Sequence, residues 1–195
     1  MKQLLAVSIL MAACFASQAQ SGTVILGGDV AYSTSSQDVV GGNSFEAKSL
    51  NLNPYVGYQF NDNWTAGVVA GIGSSSSEQG ANTTKFRDFN AGPFVRYTQT
   101  VSDLFWLYGQ LEGRFGSRKS ENNGATFGES NSTTINLFPA AFINLKNSFG
   151  LNFNFGGLSY GSVKPDGGSK SNSFNINFGK VATIGISKNF GGSKK

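Results

Sequence analysis

The stretch Leu50-Asn51-Leu52-Asn53-Pro54-Tyr55-Val56-Gly57-Tyr58-Gln59-Phe60 separates into two alternating series. Its even positions are Leu50, Leu52, Pro54, Val56, Tyr58 and Phe60, whereas its odd positions are Asn51, Asn53, Tyr55, Gly57 and Gln59. A strand sends successive side chains to opposite faces, so this period of two describes a strand with one greasy face and one polar or small face. The pattern recurs. Phe105, Leu107, Leu111 and Phe115 alternate with Trp106, Tyr108, Gln110, Glu112 and Arg114; Ile135, Leu137, Pro139, Ala141, Ile143 and Leu145 alternate with Asn136, Phe138, Ala140, Phe142 and Asn144. Phe149, Leu151, Phe153 and Phe155 alternate with Gly150, Asn152 and Asn154.

Eight such stretches are predicted, at about 23–34, 48–60, 64–74, 85–98, 104–117, 132–145, 149–160 and 173–190. No segment between them repeats its apolar residues at helical spacing. Each stretch reaches the roughly 9–11 residues that a tilted strand needs to cross a bilayer. The connections alternate strictly in length. Asn61-Asp62-Asn63, the residues around Thr100 to Asp103, and Lys146-Asn147-Ser148 read as tight turns; about 35–47, 75–84, 118–131 and 161–172 read as long loops rich in Ser, Gly and Asn. In an up-and-down barrel all short turns then fall at one end and all long loops at the other. Pro54, Pro93 and Pro139 recur at matching places in three hairpins, and a bulge at each would reconcile them with a paired strand.

Girth decides which face points inward. An eight-stranded barrel has room inside only for its own side chains. Asn, Gly, Ala and Thr fit there, with Asp29, Asp88, Arg96, Glu112 and Arg114; the large aliphatic and aromatic residues fit outside. On this parity Phe60, Trp64, Tyr97, Phe105, Phe149 and Phe190 point outward beside the short turns, as an interfacial aromatic girdle does. The expected fold is all-β, an eight-stranded antiparallel up-and-down transmembrane β-barrel. A soluble lipocalin-like barrel would invert this sidedness, and extraction behaviour separates the two.

The first residues carry Lys2, an apolar run from Leu4 to Phe15, and the small residues ending Ser17-Gln18-Ala19. This is the pattern of a secretory signal peptide over 1–19, cleaved after Ala19, with 20–195 as one mature domain. A rival reading makes Cys14 a lipid-attachment site, but Met11 stands where lipoprotein signals carry Leu or a similar aliphatic. With the leader removed, no cysteine and no disulfide remain.

The leader, the alternating strands, the loop asymmetry and the final Ile184-Gly185-Ile186-Ser187-Lys188-Asn189-Phe190 together resemble the small outer-membrane β-barrel family, OmpA- and OmpX-like, over essentially the whole mature chain. The resemblance implies an outer-membrane location, lipid as the surrounding partner, and reading of Ile184, Ile186 and Phe190 by the barrel-assembly machinery. The chain departs from the usual pattern in placing Gly191-Gly192-Ser193-Lys194-Lys195 after that aromatic.

Function is constrained mainly by what is missing. The sequence has no histidine, so a Ser-His-Asp triad cannot be built, and zinc loses its usual ligands. No enzyme activity, metal or cofactor is expected. Fifteen basic residues against eleven acidic ones, scattered along the chain, do not form a nucleic-acid surface. Gly113 to Ser120 lacks the second glycine of a phosphate loop, and Asp166-Gly167-Gly168 lacks the spaced acids of a calcium loop. One inward constellation stands out. If residues around the turn near Thr100 to Asp103 pair when their numbers sum to about 202, Asp88 faces Arg114 and Asn90 faces Glu112. Buried charges need partners, so Asp88, Asn90, Glu112 and Arg114 are expected to form a polar network filling the lumen, as a static support or, alternatively, as a gate in a narrow channel. The loops name no external partner.

Overall fold

The computed structural model describes residues 22–38, 44–145 and 149–190. The leader with Ala19 and Cys14, the turn Lys146-Asn147-Ser148 and the tail Gly191–Lys195 lie outside them. The chain forms β1 (Thr23–Gln37), β2 (Phe45–Gln59), β3 (Trp64–Gln79), β4 (Asn82–Thr100), β5 (Phe105–Asn122), β6 (Ala125–Asn144), β7 (Phe149–Pro165) and β8 (Ser171–Phe190). Each strand pairs antiparallel with the next, and β8 returns to β1, closing the barrel.

Sidedness follows the alternation. Leu107 is 45% and Ile186 59% exposed on the outer wall, whereas Thr65, Arg96 and Glu112 point inward and are buried. The outward series on β3 runs Trp64, Ala66, Val68, Ala70, Ile72 and turns polar at Ser74; on β5 it runs from Phe105 to Phe115 and turns polar at Ser117. About ten residues at a 3.4 Å rise and a 40° tilt span about 25 Å, the height of an outer-membrane barrel's apolar band. This is the reverse of a soluble ligand-binding barrel, which buries its apolar face.

The expected long loops are corrected. The strands continue beyond the belt, so that β3 and β4 meet at Gly80-Ala81, and β5 and β6 at Asn123-Gly124. Ser74 to Ser77 are therefore strand residues, paired with Leu50 to Ala47 on β2 and with Arg87 to Thr84 on β4. Above the belt a strand needs only its backbone ladder, and Ser and Thr supply no apolar alternation to announce it. Asn123 (φ 47°) and Gly124 (φ 83°) supply the two left-handed positions of a two-residue hairpin turn.

The prolines divide. Pro139 lies at a register shift between β6 and β7, as expected of a bulge. Pro54 and Pro93 do not; the ladder lapses beside them toward β3 and β5 while the register continues unchanged. In all three the missing N–H falls on the side of the following strand, with the other side paired to the preceding one.

Candidate functional site

The lumen is filled in layers from the short-turn end. Trp106, Tyr108, Phe138, Ala140 and Phe142, from β5 and β6, form the lowest one. The Trp106 and Phe142 rings pack at 4.9 Å between centroids. The Phe142 ring lies over Gly150 on the neighbouring β7, where a Cβ would stand 2.0 Å from the ring. Tyr108 Oη donates to Asn152 Oδ1 at 3.2 Å, and Asn152 Nδ2 donates to Ser187 Oγ at 2.9 Å, tying β5 to β7 and β8.

Arg96 lies above this layer, 6% exposed. Its guanidinium carbon sits 4.1 Å from the Tyr108 ring centroid and 5.0 Å from that of Tyr55, and its Nε donates to Gln110 Oε1 at 2.9 Å. Ring faces are electron-rich, which compensates a cation withdrawn from water. A ladder of bonds climbs from there. Gln110 Nε2 donates to Glu112 Oε2 at 3.0 Å, while Arg114 Nε (2.8 Å) and Asn136 Nδ2 (3.0 Å) donate to Glu112 Oε1. Arg114 Nη1 reaches Asn53 Oδ1 and Asn90 Oδ1, each at 3.2 Å, and Asn53 Nδ2 donates to Asp29 Oδ1 at 2.9 Å. Beside the ladder a cavity of about 370 Å³ is lined by Asn136, Asn154, Asn177 and Thr183 among others.

The expected pairing of these residues is corrected. Asp88 stands opposite Arg118, Asn90 opposite Gly116, and Glu112 opposite Phe94, because the turn is centred two residues later and Thr100 pairs with Trp106. Asn90, Glu112 and Arg114 still meet, since Arg114 reaches diagonally. Asp88 does not join them; it forms a separate ion pair with Arg118 nearer the outer end. Arg96, Gln110, Asn53 and Asn136, which complete the ladder, were marked in the sequence by the same inward parity as Glu112.

On the outer wall Phe60, Trp64, Tyr97, Phe105, Phe149 and Phe190 all lie at the short-turn end. Trp64 and Tyr97 are register partners whose rings meet edge-on at 5.0 Å. Lys188 Nζ lies 4.5 Å from the Phe149 ring centroid and 5.1 Å from that of Phe190, a cation held at the edge of the belt by two ring faces. Ile184 and Ile186 face outward along β8 toward Phe190, which pairs with Val24. Among the described residues no group of acids could hold a metal ion.

A closed eight-strand meander with an apolar outer belt and a polar interior defines a small transmembrane β-barrel, the architecture of outer-membrane proteins. No family model matches the chain, and no curated protein matches it. Solved structures similar to it include the translocator domain of the autotransporter NalP from Neisseria meningitidis, at 16% identity and TM-score 0.44 over 92% of this chain and 62% of that one. The chain thus spans about three fifths of that domain's length. The attachment invasion locus protein Ail of Yersinia pestis is similar at 16% identity and TM-score 0.43, over 88% of this chain and 99% of that one. A major outer membrane protein from Thermus thermophilus is similar at 13% identity and TM-score 0.43, over 87% and 99%.

Proposed function

We propose that the chain is a non-enzymatic integral protein of the outer membrane, held in lipid by its belt and closed to through-flow by its lumen, whose work is done by the projecting hairpins. The observation that carries this reading is the combination of an apolar outer wall with charged groups that satisfy one another inside. In the same reading residues 1–19 are removed after Ala19, and the assembly machinery recognises Ile184, Ile186 and Phe190. The six girdle aromatics then fix depth at the inner interface, where Trp64 and Tyr97 each set an apolar ring in lipid and a polar group at the water edge. The ladder through Glu112 and Arg114 serves as a static support rather than a gate; the packing of Tyr108, Ala140 and Phe142 with Trp106 and Phe138 beneath it supports this reading.

The test is envelope fractionation and heat-modifiable gel migration, together with planar-bilayer conductance of the purified protein and of Arg114→Ala. A detergent-dependent barrel, silent in the bilayer and less stable once Arg114 is removed, is expected. Higher conductance of Arg114→Ala with unchanged heat stability would make the ladder a gate.

A further inference from the structure

We propose that an outer-wall groove over β4 to β6, at the hairpin end of the belt, holds the zwitterionic head of a membrane lipid, its phosphate on Arg87 and Lys119 and its primary ammonium on Glu129 and Asp166. The inference rests on the membrane location proposed above. On β5 the outward apolar run ends at Phe115 and turns polar at Ser117; on β4 Phe89, opposite Ser117 and 55% exposed, gives way to Arg87. Two residues at a rise of about 3.4 Å and a tilt of about 40° climb about 5 Å. Arg87 therefore stands in the head-group layer, which is about 5–8 Å thick on each side of the hydrocarbon.

A single register row crosses the wall there: Ser74 stands opposite Arg87, Arg87 opposite Lys119, and Lys119 opposite Glu129. Asp166, just past the end of β7, is fixed beside Glu129, because its backbone N–H donates to the Glu129 carbonyl oxygen at 2.9 Å. Like charges directly opposite each other destabilise a strand pair. Glu121 relieves Arg87 and Lys119 only in part, since its one carboxylate is shared between Arg87 Nη1 at 3.6 Å and Lys119 Nζ at 3.8 Å. Lys119 turns to Glu121 and not to Glu129 across from it; among the described residues neither Glu129 nor Asp166 enters an ion pair.

A groove of about 320 Å³ lies between these charges, lined by Arg87 and Lys119 toward one end and by Glu129 and Asp166 toward the other. Ser117 and Asn131, register partners, lie along it, and Phe89 borders it on the belt side. Lys164, opposite Asn131 on β7, is outside the lining. The pattern selects the occupant. A purely anionic head would meet Glu129 and Asp166, and a purely cationic one would meet Arg87 and Lys119. A head of the phosphoethanolamine type satisfies both ends at once: the guanidinium presents parallel N–H donors to phosphate, and the ammonium presents its N–H donors to the carboxylates. A quaternary ammonium has no N–H to give. Phe89 and Phe115 continue below as an apolar wall for the acyl chains.

The test uses the whole barrel, reconstituted in vesicles of equal parts phosphatidylethanolamine, phosphatidylcholine and phosphatidylglycerol and released into mild detergent, with retained lipid counted by native mass spectrometry. Phosphatidylethanolamine should be retained about threefold over each of the others, the scale set by two exposed ion pairs, and N-methylation of its head should lower retention stepwise. Glu129→Gln with Asp166→Asn should erase the preference over phosphatidylcholine and raise phosphatidylglycerol; Arg87→Gln with Lys119→Gln should lower all three lipids. The four side chains are exposed, so both variants should keep the heat-modifiable band, and the methylation series on the parent protein decides the matter even where one does not. Equal retention of phosphatidylethanolamine and phosphatidylcholine, a preference for phosphatidylglycerol, or a preference that survives both variants overturns the proposal. So does displacement of the lipid by free phosphoethanolamine, which would make the groove a site for a soluble zwitterion. Heat-modifiable migration is read alongside: a barrel that needs no detergent brings down the membrane reading and this one with it, whereas a detergent-dependent barrel without preference among the three lipids brings down this one alone.

Discussion

Removing the Glu112 carboxylate tests whether the lumen ladder holds the barrel together. The group is 3% exposed and accepts from Gln110, Arg114 and Asn136. Glu112→Ala strands two amide donors and leaves Arg114, 19% exposed, with only the neutral oxygens of Asn53 and Asn90. Breaking a buried ion pair from one side costs about 3–5 kcal/mol, and the adjoining cavity, which can admit water, lowers the expectation here to about 2–4 kcal/mol. Glu112→Leu with Arg114→Met strands the same two amide donors but leaves no ion unpaired, so it should cost less than Glu112→Ala alone. Urea unfolding from vesicles, followed by tryptophan fluorescence and gel migration, measures Glu112→Ala beside the cycle formed by the parent, Glu112→Leu, Arg114→Met and the double variant. If Glu112→Ala costs less than about 0.5 kcal/mol, or if the two changes simply add, the ladder is not a coupled unit and the reasoning fails.

The belt makes a depth-dependent prediction: Leu111→Arg, near mid-height, should cost about 2–4 kcal/mol in vesicles and Phe105→Arg, at the girdle, about 0–1 kcal/mol; equal costs would contradict the assigned depth. A Cβ at Gly92 would stand 1.8 Å from the Gly113 carbonyl oxygen, while one at Gly109 meets nothing within 4 Å. Gly92→Ala should therefore lose about 1–3 kcal/mol or fail to give the heat-modifiable band, with Gly109→Ala close to the parent. Hydrogen exchange should find the amides of Ser75 to Ser77 and of Ser117 to Lys119 protected, since both segments are paired on both sides; immediate exchange would restore the long-loop reading.

Periodicity reports which face a residue occupies, and it made the eight strands, their sidedness and the gathering of outward aromatics at the short-turn end legible from residues such as Leu50 to Phe60. It is blind to register when a slip is even. Moving the partner of Asp88 from Arg114 to Arg118 shifts the pairing by four residues and leaves every side chain on its original face, so the alternation looked the same either way. Only the turn could have decided it. There Phe105 N bonds Ser102 O at 3.2 Å and Ser102 Oγ at 3.1 Å, centring the hairpin later than its polar residues advertise. The polar ribbons were illegible for a different reason: a strand paired on both sides in water requires no apolar face. Asn123-Gly124 was the one local sign that β5 and β6 continue to a tight turn.

The same distinction explains why the ladder survived a wrong register. Arg114 reaches Asn90 through a long side chain rather than from directly across the pair, and such a side chain spans the narrow lumen to several strands. In a barrel this thin, inward parity and a long side chain bring Arg114 to Asn90 and Asn53 without direct pairing, whereas the shorter Asp88 bonds the residue that register sets opposite it. Where register matters is the wall, because there each backbone group bonds the residue directly across from it, as Asp88 and Arg118 show by standing opposite each other.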